Sequence, residues 1–292
     1  MSRVYRATQI KGGKQVALKI LMKPRSDDES PISITGMKDF SSATLQCPHL
    51  IPVFKFYEDE NVIISAMEYI DGGDIFDWLL LHDSYSESGV SIVIHHLLIA
   101  IQVLHNNGIV HRNIKPENVL VSTANTGATI KLGDFGYANV LDTNEQFKEI
   151  CMADPCTSPE ILNGQEYGPP TDIWSIGVIA YILLVGSWPI TTSNLKLFPK
   201  EIPFNQPQWR KISSDARNFV KKMLSIDPNT RISVESALTH PWILSPDQDT
   251  PLNEAFENLQ VTAMARKLRR GMGATISASS FHQFTALAQK HD

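Results

Sequence analysis

Residues 111–120 read His-Arg-Asn-Ile-Lys-Pro-Glu-Asn-Val-Leu, and residues 134–136 read Asp-Phe-Gly. These two short motifs decide how the rest of the chain is interpreted. The side chain of Asn113, inside the first motif, is a neutral amide that accepts hydrogen bonds but takes no proton at physiological pH. Asn113 therefore cannot act as a general base.

Motifs on both sides of this stretch complete a pattern. In chain order they are Val-Ala-Leu-Lys at 16–19, Gly-Gly-Asp at 72–74, the two motifs above, Ser-Pro-Glu at 158–160, Asp-Ile-Trp-Ser-Ile-Gly at 172–177 and Arg231. This order and spacing resembles the protein kinase family over residues 2–244. The resemblance implies an α+β, bilobal fold, with a β-rich N-lobe at 1–66, a hinge at 67–73 and a larger helical C-lobe at 74–244. Residues 245–292 are then a linker and a basic regulatory tail.

Two details place the resemblance in the calcium/calmodulin-dependent protein kinase group. The loop continues Lys-Pro-Glu-Asn at 115–118, and the expected C-lobe closes with His-Pro-Trp at 240–242. The tail is similar to that of the CASK-type pseudokinase domain and of the multifunctional calmodulin-dependent kinases. The activity implied is phosphate transfer from ATP to serine or threonine of protein substrates, with Mg²⁺ as the metal.

The resemblance also assigns roles to residues of the two central motifs. Asn118 and Asp134 would hold Mg²⁺, and Lys115 would contact the transferred phosphate. Asn113 stands where the family has its catalytic Asp.

Further roles follow for residues outside these motifs. The nucleotide is expected to contact Val4, Ala17, Lys19, Met67, Tyr69, Ile70, Asp74 and Leu120. Met67 is the gatekeeper position, and Asp74 lies near the ribose. Structural roles fall to Asp172, which heads the central C-lobe helix, and to Glu160, which pairs with Arg231. Taken alone, Lys19 is more typical of a solvated strand residue, and the downstream motifs reverse that expectation.

Two departures from the family pattern are expected in the N-lobe. Val4 fits the valine that ends the glycine-rich loop, and residues 1–3 cannot supply its three glycines. Lys38 occupies the position of the glutamate that pairs with Lys19, where a second ammonium would repel the first. Asp39 is adjacent but one residue off. An incomplete gene model or a splice form is an alternative explanation for the missing loop.

Two more departures fall in the C-lobe. Asn113 replaces the base, whose contribution to rate is typically on the order of 10²–10⁴. Residues 152–154, Met-Ala-Asp, replace Gly-Thr-Pro, so the hydroxyl that ties the substrate-docking loop to the catalytic loop is absent. Together the departures favour a pseudokinase or very weak Ser/Thr kinase that serves as a nucleotide-responsive scaffold. An active Ser/Thr kinase stays open as the alternative.

Local patterns predict the elements that carry these motifs. Two strands joined by a turn at 11–14 are expected over 2–22, because β-forming residues flank a Gly pair. Two more strands are expected over 57–70. Apolar spacing predicts a helix over 91–106 that leads into the catalytic loop, and further helices over 213–244.

The apolar run 173–190 is long enough to suggest a membrane span. Asp172 heads the run, Pro189 breaks it, and no basic cluster flanks one side, so a buried core helix is favoured. No transmembrane segment is expected.

The amino-acid composition limits the classes of partner that are expected for this protein. The 292 residues include 26 basic and 31 acidic side chains, and the formal charge of -5 argues against nucleic acid as a partner. The three cysteines lack the spacing of a disulfide framework or a zinc site, which favours a reducing, cytoplasmic setting. Membrane attachment is then expected only peripherally, through protein partners.

The tail places Arg266, Lys267, Arg269 and Arg270 around Leu268. This basic amphipathic pattern is typical of calmodulin targets and predicts calmodulin binding through residues 259–282. Gly271 and Gly273 weaken a helix here by about 1 kcal/mol each relative to Ala. A solvated basic helix under the C-lobe remains an equally good interpretation.

Overall fold

A computed structural model describes residues 2–23, 45–123, 128–141, 146–148, 153–190, 201–246 and 250–268. Several sequence predictions concern residues outside these ranges. They are the ones made for Lys38, Asp39, Met152, Arg269, Arg270 and the tail beyond them.

The N-lobe is built on an antiparallel sheet with strand order β1-β2-β4-β3. Its strands are β1 (Ser2–Thr8), β2 (Gln15–Met22), β3 (Val53–Glu58) and β4 (Val62–Glu68). The hairpin predicted over 2–22 is therefore confirmed, whereas of the two strands predicted over 57–70 only β4 lies there, because β3 begins four residues earlier, at Val53. Gly12 and Gly13 both have positive φ, +96° and +67°, at the turn between β1 and β2, a conformation that glycine adopts without steric cost.

Alternation along β2 decides which side chains face the C-lobe. Ala17, Lys19 and Leu21 are buried, and the residues between them are less so. Lys19 lies opposite Val4 on β1 and Ser65 on β4. The period of two thus points Lys19 inward, so it is not the solvated strand residue that a lone lysine suggests.

The C-lobe is mainly helical, as predicted. Its elements are α1 (Ile75–Leu79), α2 (Glu87–Asn106), β5 (Ile109–Val110), β6 (Val119–Ser122), β7 (Thr129–Leu132), β8 (Asn139–Val140), α3 (Pro159–Leu162), α4 (Pro170–Val185), α5 (Ser214–Met223), α6 (Val234–Leu238), α7 (Pro241–Leu244) and α8, residues 253–268. The short strands pair as β5 with β8 and β6 with β7. The catalytic-loop motif follows β5 and ends in β6, and the Asp-Phe-Gly motif lies between β7 and β8.

Helices α2 and α4 form the centre of the C-lobe. Nearly every residue of α4 is buried, which explains its uninterrupted apolar sequence. The helix ends at Val185 rather than at Pro189, because Gly186 adopts a left-handed φ of +78° and its N–H bonds the carbonyl of Ile182. The predicted breaker was therefore the wrong residue.

By length and composition, α2 could also cross a membrane. Its side chains Ile94, Leu97 and Leu98 are fully buried and belong to the core that α4 completes. Packing of this kind is that of a core helix, for which such a composition is common.

Residues 250–268 pack against the same core. Thr250 accepts a hydrogen bond from the N–H of Glu87, and α8 buries Phe256 and Leu259 against the C-lobe. Burying two side chains of this size contributes roughly 3–6 kcal/mol in total. Residues 250–268 are therefore docked on the C-lobe, mainly as helix α8, where the sequence analysis expected a linker and a basic tail.

Candidate functional site

The catalytic-loop motif is held in place by Asp172 at the start of α4. Its carboxylate accepts hydrogen bonds from the backbone N–H of His111 and Arg112 at 2.9 Å each, and lies 2.9 Å from His105 Nε2. Burial alone would raise the pKa of Asp172, but the hydrogen bond and charge of His105 hold it below its usual range. The anchored loop lets Arg112 adopt φ +63°, which few non-glycine residues do.

Asp134 connects the two lobes. Its carboxylate forms an ion pair with Lys19 of β2 and accepts a hydrogen bond from the N–H of Gly136 at 3.2 Å. Burial opposes ionisation of Asp134, yet Lys19 keeps the pKa of the carboxyl lowered. Asp134 is therefore an anion in the cleft, and its partner is the lysine that the sequence analysis assigned to nucleotide contact.

Asn118 and Asn113 make different use of their amides. Asn118 Nδ2 donates to the backbone carbonyl of Asn113 at 2.7 Å, which leaves Asn118 Oδ1 as the atom able to face a cation. Asn113 is buried, and its Oδ1 has no hydrogen-bond partner in the part of the chain that the structure describes. One amide orients the loop, and the oxygen of the other is buried without a donor among the described residues.

The donor set fits a magnesium ion. An oxygen of Asn118 and the carboxylate of Asp134 are hard oxygen ligands, which Mg²⁺ prefers, and Mg²⁺ usually completes its shell with water and phosphate oxygens. These two residues are the ones that would hold it.

One cavity of about 340 Å³ lies between the lobes. Its lining includes all ten residues predicted to contact nucleotide or metal, namely Val4, Ala17, Lys19, Met67, Tyr69, Ile70, Asp74, Asn118, Leu120 and Asp134. Their role in nucleotide binding stays a prediction. The cavity is also lined by Ile51, Glu68, Asp77, Glu117 and Gly133, which the sequence analysis missed. Glu117 and Gly133 could have been suspected, since they lie inside or beside the two central motifs.

Asp74 has a second role that the sequence analysis did not assign. Its Oδ1 accepts from the N–H groups of Phe76 and Asp77 at 3.0 Å each, which makes it the N-cap of α1. Its Oδ2 lies 3.2 Å from Arg266 Nη2 of α8, and the same guanidinium lies 3.3 Å from Glu117. The tail therefore reaches the rim of the cavity.

The other basic-tail residues within the structure point elsewhere. Lys267 and Leu268 are exposed, and Leu268 retains 70% of its surface. Val261 and Met264 are also exposed on α8, so the helix carries one apolar face against the C-lobe and some apolar surface away from it.

Lys115 has a carboxylate neighbour that the sequence analysis missed. Its Nζ lies 3.5 Å from Oδ2 of Asp154, in the segment that replaces Gly-Thr-Pro. The sequence analysis noted only that this segment lacks a hydroxyl. Its new acidic residue was the signal that could have found the pair.

Glu160 and Arg231 are joined as the resemblance implied. Two guanidinium nitrogens of Arg231 contact the two carboxylate oxygens of Glu160 at 2.7 and 2.9 Å, and both side chains are buried. Arg231 also donates to the carbonyl of Pro170 at 2.7 Å. This pair fixes the end of the 153–160 segment to the body of the C-lobe.

Comparison with known sequences agrees with this geometry. A profile of the protein kinase domain matches residues 1–243. The chain belongs to the protein kinase family. This kinase domain is 32% identical to calcium/calmodulin-dependent protein kinase type IV of Mus musculus over 303 residues, which cover 99% of the chain and 63% of that protein. It therefore spans less than two thirds of the length of that relative.

Two further relatives support the same group. Calcium/calmodulin-dependent protein kinase type 1 of Caenorhabditis briggsae is 36% identical over 200 residues, covering 67% of this chain and 56% of the relative. A probable myosin light chain kinase of Dictyostelium discoideum is 32% identical over 291 residues, covering 94% and 90%. The kinase domain thus has relatives of the calcium/calmodulin-dependent type, and its bilobal fold is confirmed.

Proposed function

We propose that this kinase domain binds ATP with Mg²⁺ and transfers phosphate to serine or threonine only slowly, so that it acts mainly as a nucleotide-responsive signalling module. The observation that carries the proposal is the contrast between Asn113 and the residues around it. Lys19, Asn118 and Asp134 have the residue types that phosphate and metal binding need, whereas Asn113 offers a buried amide oxygen where a proton must be accepted.

Each residue contributes differently to this function. When bound, Mg²⁺ neutralises charge on the phosphate oxygens. Lys19 adds a positive charge on the N-lobe side, and the ion pair with Asp134 keeps its ammonium directed into the cleft before nucleotide arrives. Asn113 can orient a substrate hydroxyl by accepting its hydrogen bond, but the proton stays on the hydroxyl.

The size of the rate loss expected from a missing general base favours a slow phosphate transfer over no transfer. General-base catalysis accounts for on the order of 10²–10⁴ of the rate, while positioning and charge neutralisation supply most of the remainder in phosphoryl transfer. Loss of the base alone therefore leaves a measurable rate. A scaffold role of the CASK type, and a cytoplasmic location, belong to the same proposal.

An ordinary active Ser/Thr kinase is the second candidate. The names of the relatives favour it, since those quoted above are all kinases. The two candidates differ in the turnover number with a protein substrate. The slow kinase should turn over roughly 10²–10⁴ times more slowly than an ordinary kinase, and the active kinase should not.

We further propose that the tail binds calmodulin, as the names of two relatives suggest for those proteins. Arg266 and Lys267 supply positive charge, and Val261, Met264 and Leu268 supply exposed apolar surface on the same helix. Binding would compete with the packing of α8, because Leu259 and Ala263 are buried on the C-lobe. Released from the rim, Arg266 would no longer neutralise Asp74.

Thermal unfolding with ATP, with and without Mg²⁺, tests the proposed nucleotide site. A ligand present at a hundredfold excess over its Kd stabilises the folded state by about 2.7 kcal/mol, so the transition should rise in both the presence and, to a smaller extent, the absence of Mg²⁺. Lys19→Met should remove most of the nucleotide-induced rise. Lys11→Met, on the exposed turn of the N-lobe, is the matched control and should keep it. No rise in the wild-type chain would show that the cavity is not a nucleotide site.

Calmodulin binding is tested separately, with the whole chain and calmodulin in Ca²⁺ or in chelator. A Ca²⁺-dependent complex is expected, weakened by Arg266→Glu with Lys267→Glu. A chain that forms no complex in Ca²⁺ would remove calmodulin as a partner.

A further inference from the structure

Asp154 places a carboxylate on the substrate side of the cleft. It stands where the resemblance to the family leads one to expect the proline of Gly-Thr-Pro. Its Oδ2 is the oxygen near Lys115 Nζ, at 3.5 Å. Asp154 also lines a small cavity together with Asn113 and Arg112. A proton-accepting group therefore lies beside the residue that has lost that ability.

The backbone around Asp154 holds its side chain in one orientation. Oδ1 accepts from the N–H of Cys156 at 2.9 Å and from the hydroxyl of Thr157 at 3.3 Å, while the Asp154 N–H donates to that hydroxyl at 3.0 Å. The carbonyl of Cys156 is in turn bound by Ser175 of α4 at 2.9 Å. One carboxylate oxygen is thus committed to the turn, and Oδ2 is directed toward Lys115.

The contact between Oδ2 and Lys115 is loose. A charge-assisted hydrogen bond between ammonium and carboxylate typically spans about 2.7–2.9 Å, which is shorter than the 3.5 Å seen here. The Asp154 side chain also keeps 25% of its surface exposed. Oδ2 can therefore take a hydrogen bond from a hydroxyl entering the cleft without first breaking a tight pair.

We propose that Asp154 is the proton acceptor for the slow phosphate transfer of this domain. The inference rests on the proposed function, with a nucleoside triphosphate and a protein hydroxyl as substrates. The hydroxyl oxygen forms a bond to the γ-phosphorus, and the bond from that phosphorus to the bridging oxygen of the diphosphate breaks. The hydroxyl proton passes to Oδ2 of Asp154, and Lys115 stays between the carboxylate and the transferred phosphate as a fixed positive charge.

The opposite role is also testable. As a counter-ion only, Asp154 would neutralise Lys115 and weaken its hold on the transferred phosphate. The two roles predict opposite signs for one substitution. Asp154→Asn is suited to the test, because its Oδ1 can keep the bonds to Cys156 and Thr157 while the basic carboxylate is lost.

The experiment measures phosphate transfer from γ-labelled ATP to myelin basic protein by four forms of the chain: wild type, Asp154→Asn, Asn113→Asp and the double variant. Asp154→Asn is expected to lower kcat by at least about tenfold with little change in the KM for ATP, as loss of a general base should. With Asn113→Asp present, the same change should cost much less, because a second carboxylate then accepts the proton.

One measurement without turnover accompanies the kinetics. The ATP-induced rise in the unfolding temperature should be the same in wild type and Asp154→Asn, which separates this inference from nucleotide binding.

The outcomes divide cleanly. A fall in kcat for Asp154→Asn that Asn113→Asp suppresses supports the inference. An unchanged or increased kcat in Asp154→Asn would overturn it. No transfer by the wild-type chain would overturn both this inference and the slow transfer of the proposed function, and absence of an ATP-induced rise in the wild-type chain would overturn the proposed nucleotide site.

Discussion

The proposed nucleotide half and the proposed substrate half of the cleft differ in what the motif side chains Lys19, Asn118 and Asp134 on one side and Asn113 on the other do for the fold. On the nucleotide side, Lys19 and Asp134 join the lobes by an ion pair, and Asn118 ties the catalytic loop through a hydrogen bond. On the substrate side, Asn113 Oδ1 bonds nothing within the described residues. A change at a residue that stabilises the fold is costly, whereas removal of Asn113 Oδ1 breaks no hydrogen bond among the described residues. Phosphate transfer can therefore be weakened in this protein without loss of nucleotide binding.

The largest expected effect comes from restoring the carboxylate on the substrate side. Asn113→Asp should raise kcat for phosphate transfer by at least about 10²-fold, because it supplies the missing base at its proper position. The KM for ATP should change little, since the nucleotide half is untouched. Steady-state kinetics with a protein acceptor checks both values.

A matched change, Asn113→Ala, should not raise kcat. If both variants were equally active, the amide would have been blocking the site sterically, and the comparison between the halves would lose its chemical basis.

A smaller effect, on stability, is expected from the buried pair behind the substrate half. Arg231→Ala leaves the Glu160 carboxylate buried without its partner, which typically costs about 3–5 kcal/mol. Denaturant unfolding measures the loss. Replacing both residues together, as Glu160→Leu with Arg231→Met, should cost less because no unpaired charge remains. An equal loss in the double variant would mean that the 153–160 segment depends on this ion pair specifically.

A still smaller effect is expected where the tail meets the nucleotide half. Arg266→Ala removes the contacts with Asp74 and Glu117 at the cavity rim. The change frees the Asp74 carboxylate, which the family resemblance places near the ribose, so the Kd for ATP should fall, by roughly fivefold for a coupling of about 1 kcal/mol. Calorimetric titration resolves such a change. A weaker affinity in this variant would show that Arg266 assists the nucleotide rather than opposing it.

The smallest effect concerns the scaffold common to both halves. Burial, and the nearby charges of His49 and His95, lower the pKa of His96 from 6.5 to about 4. Between these values the unfolded chain binds a proton that the folded chain does not, so this contribution to stability is complete above pH 6.5 and is lost as the pH falls toward 4. The ring of His96 stacks on that of His49, with centroids 4.0 Å apart.

Melting curves at pH 7.5 and 5 therefore should show a lower melting temperature at pH 5. His96→Gln should reduce the difference between the two melting temperatures, since it removes one titrating group. A variant with the full difference would place the pH dependence elsewhere in the chain.

Much of the cleft could be predicted from the sequence because short motifs fix local conformation. The alternation of β2 faces Lys19 inward, and the Asp-Phe-Gly turn orients Asp134 locally. Residues that reach the site from a distance could not be predicted in this way. Asp154 was noted only as part of a missing motif, and its position beside Lys115 depends on a turn fixed by Ser175 of α4.

The sequence by itself determined the family, the order of strands and helices, and the residue types available for phosphate, metal and proton. Those properties are local, since each depends on a motif or a periodic pattern. Only the tertiary structure decided that residues 250–268 dock as a helix, that Arg266 reaches Asp74, and that a carboxylate lies beside Lys115. Each of these contacts joins residues far apart in the chain, and they form because burial of apolar side chains on α4 and α8 brings the segments together.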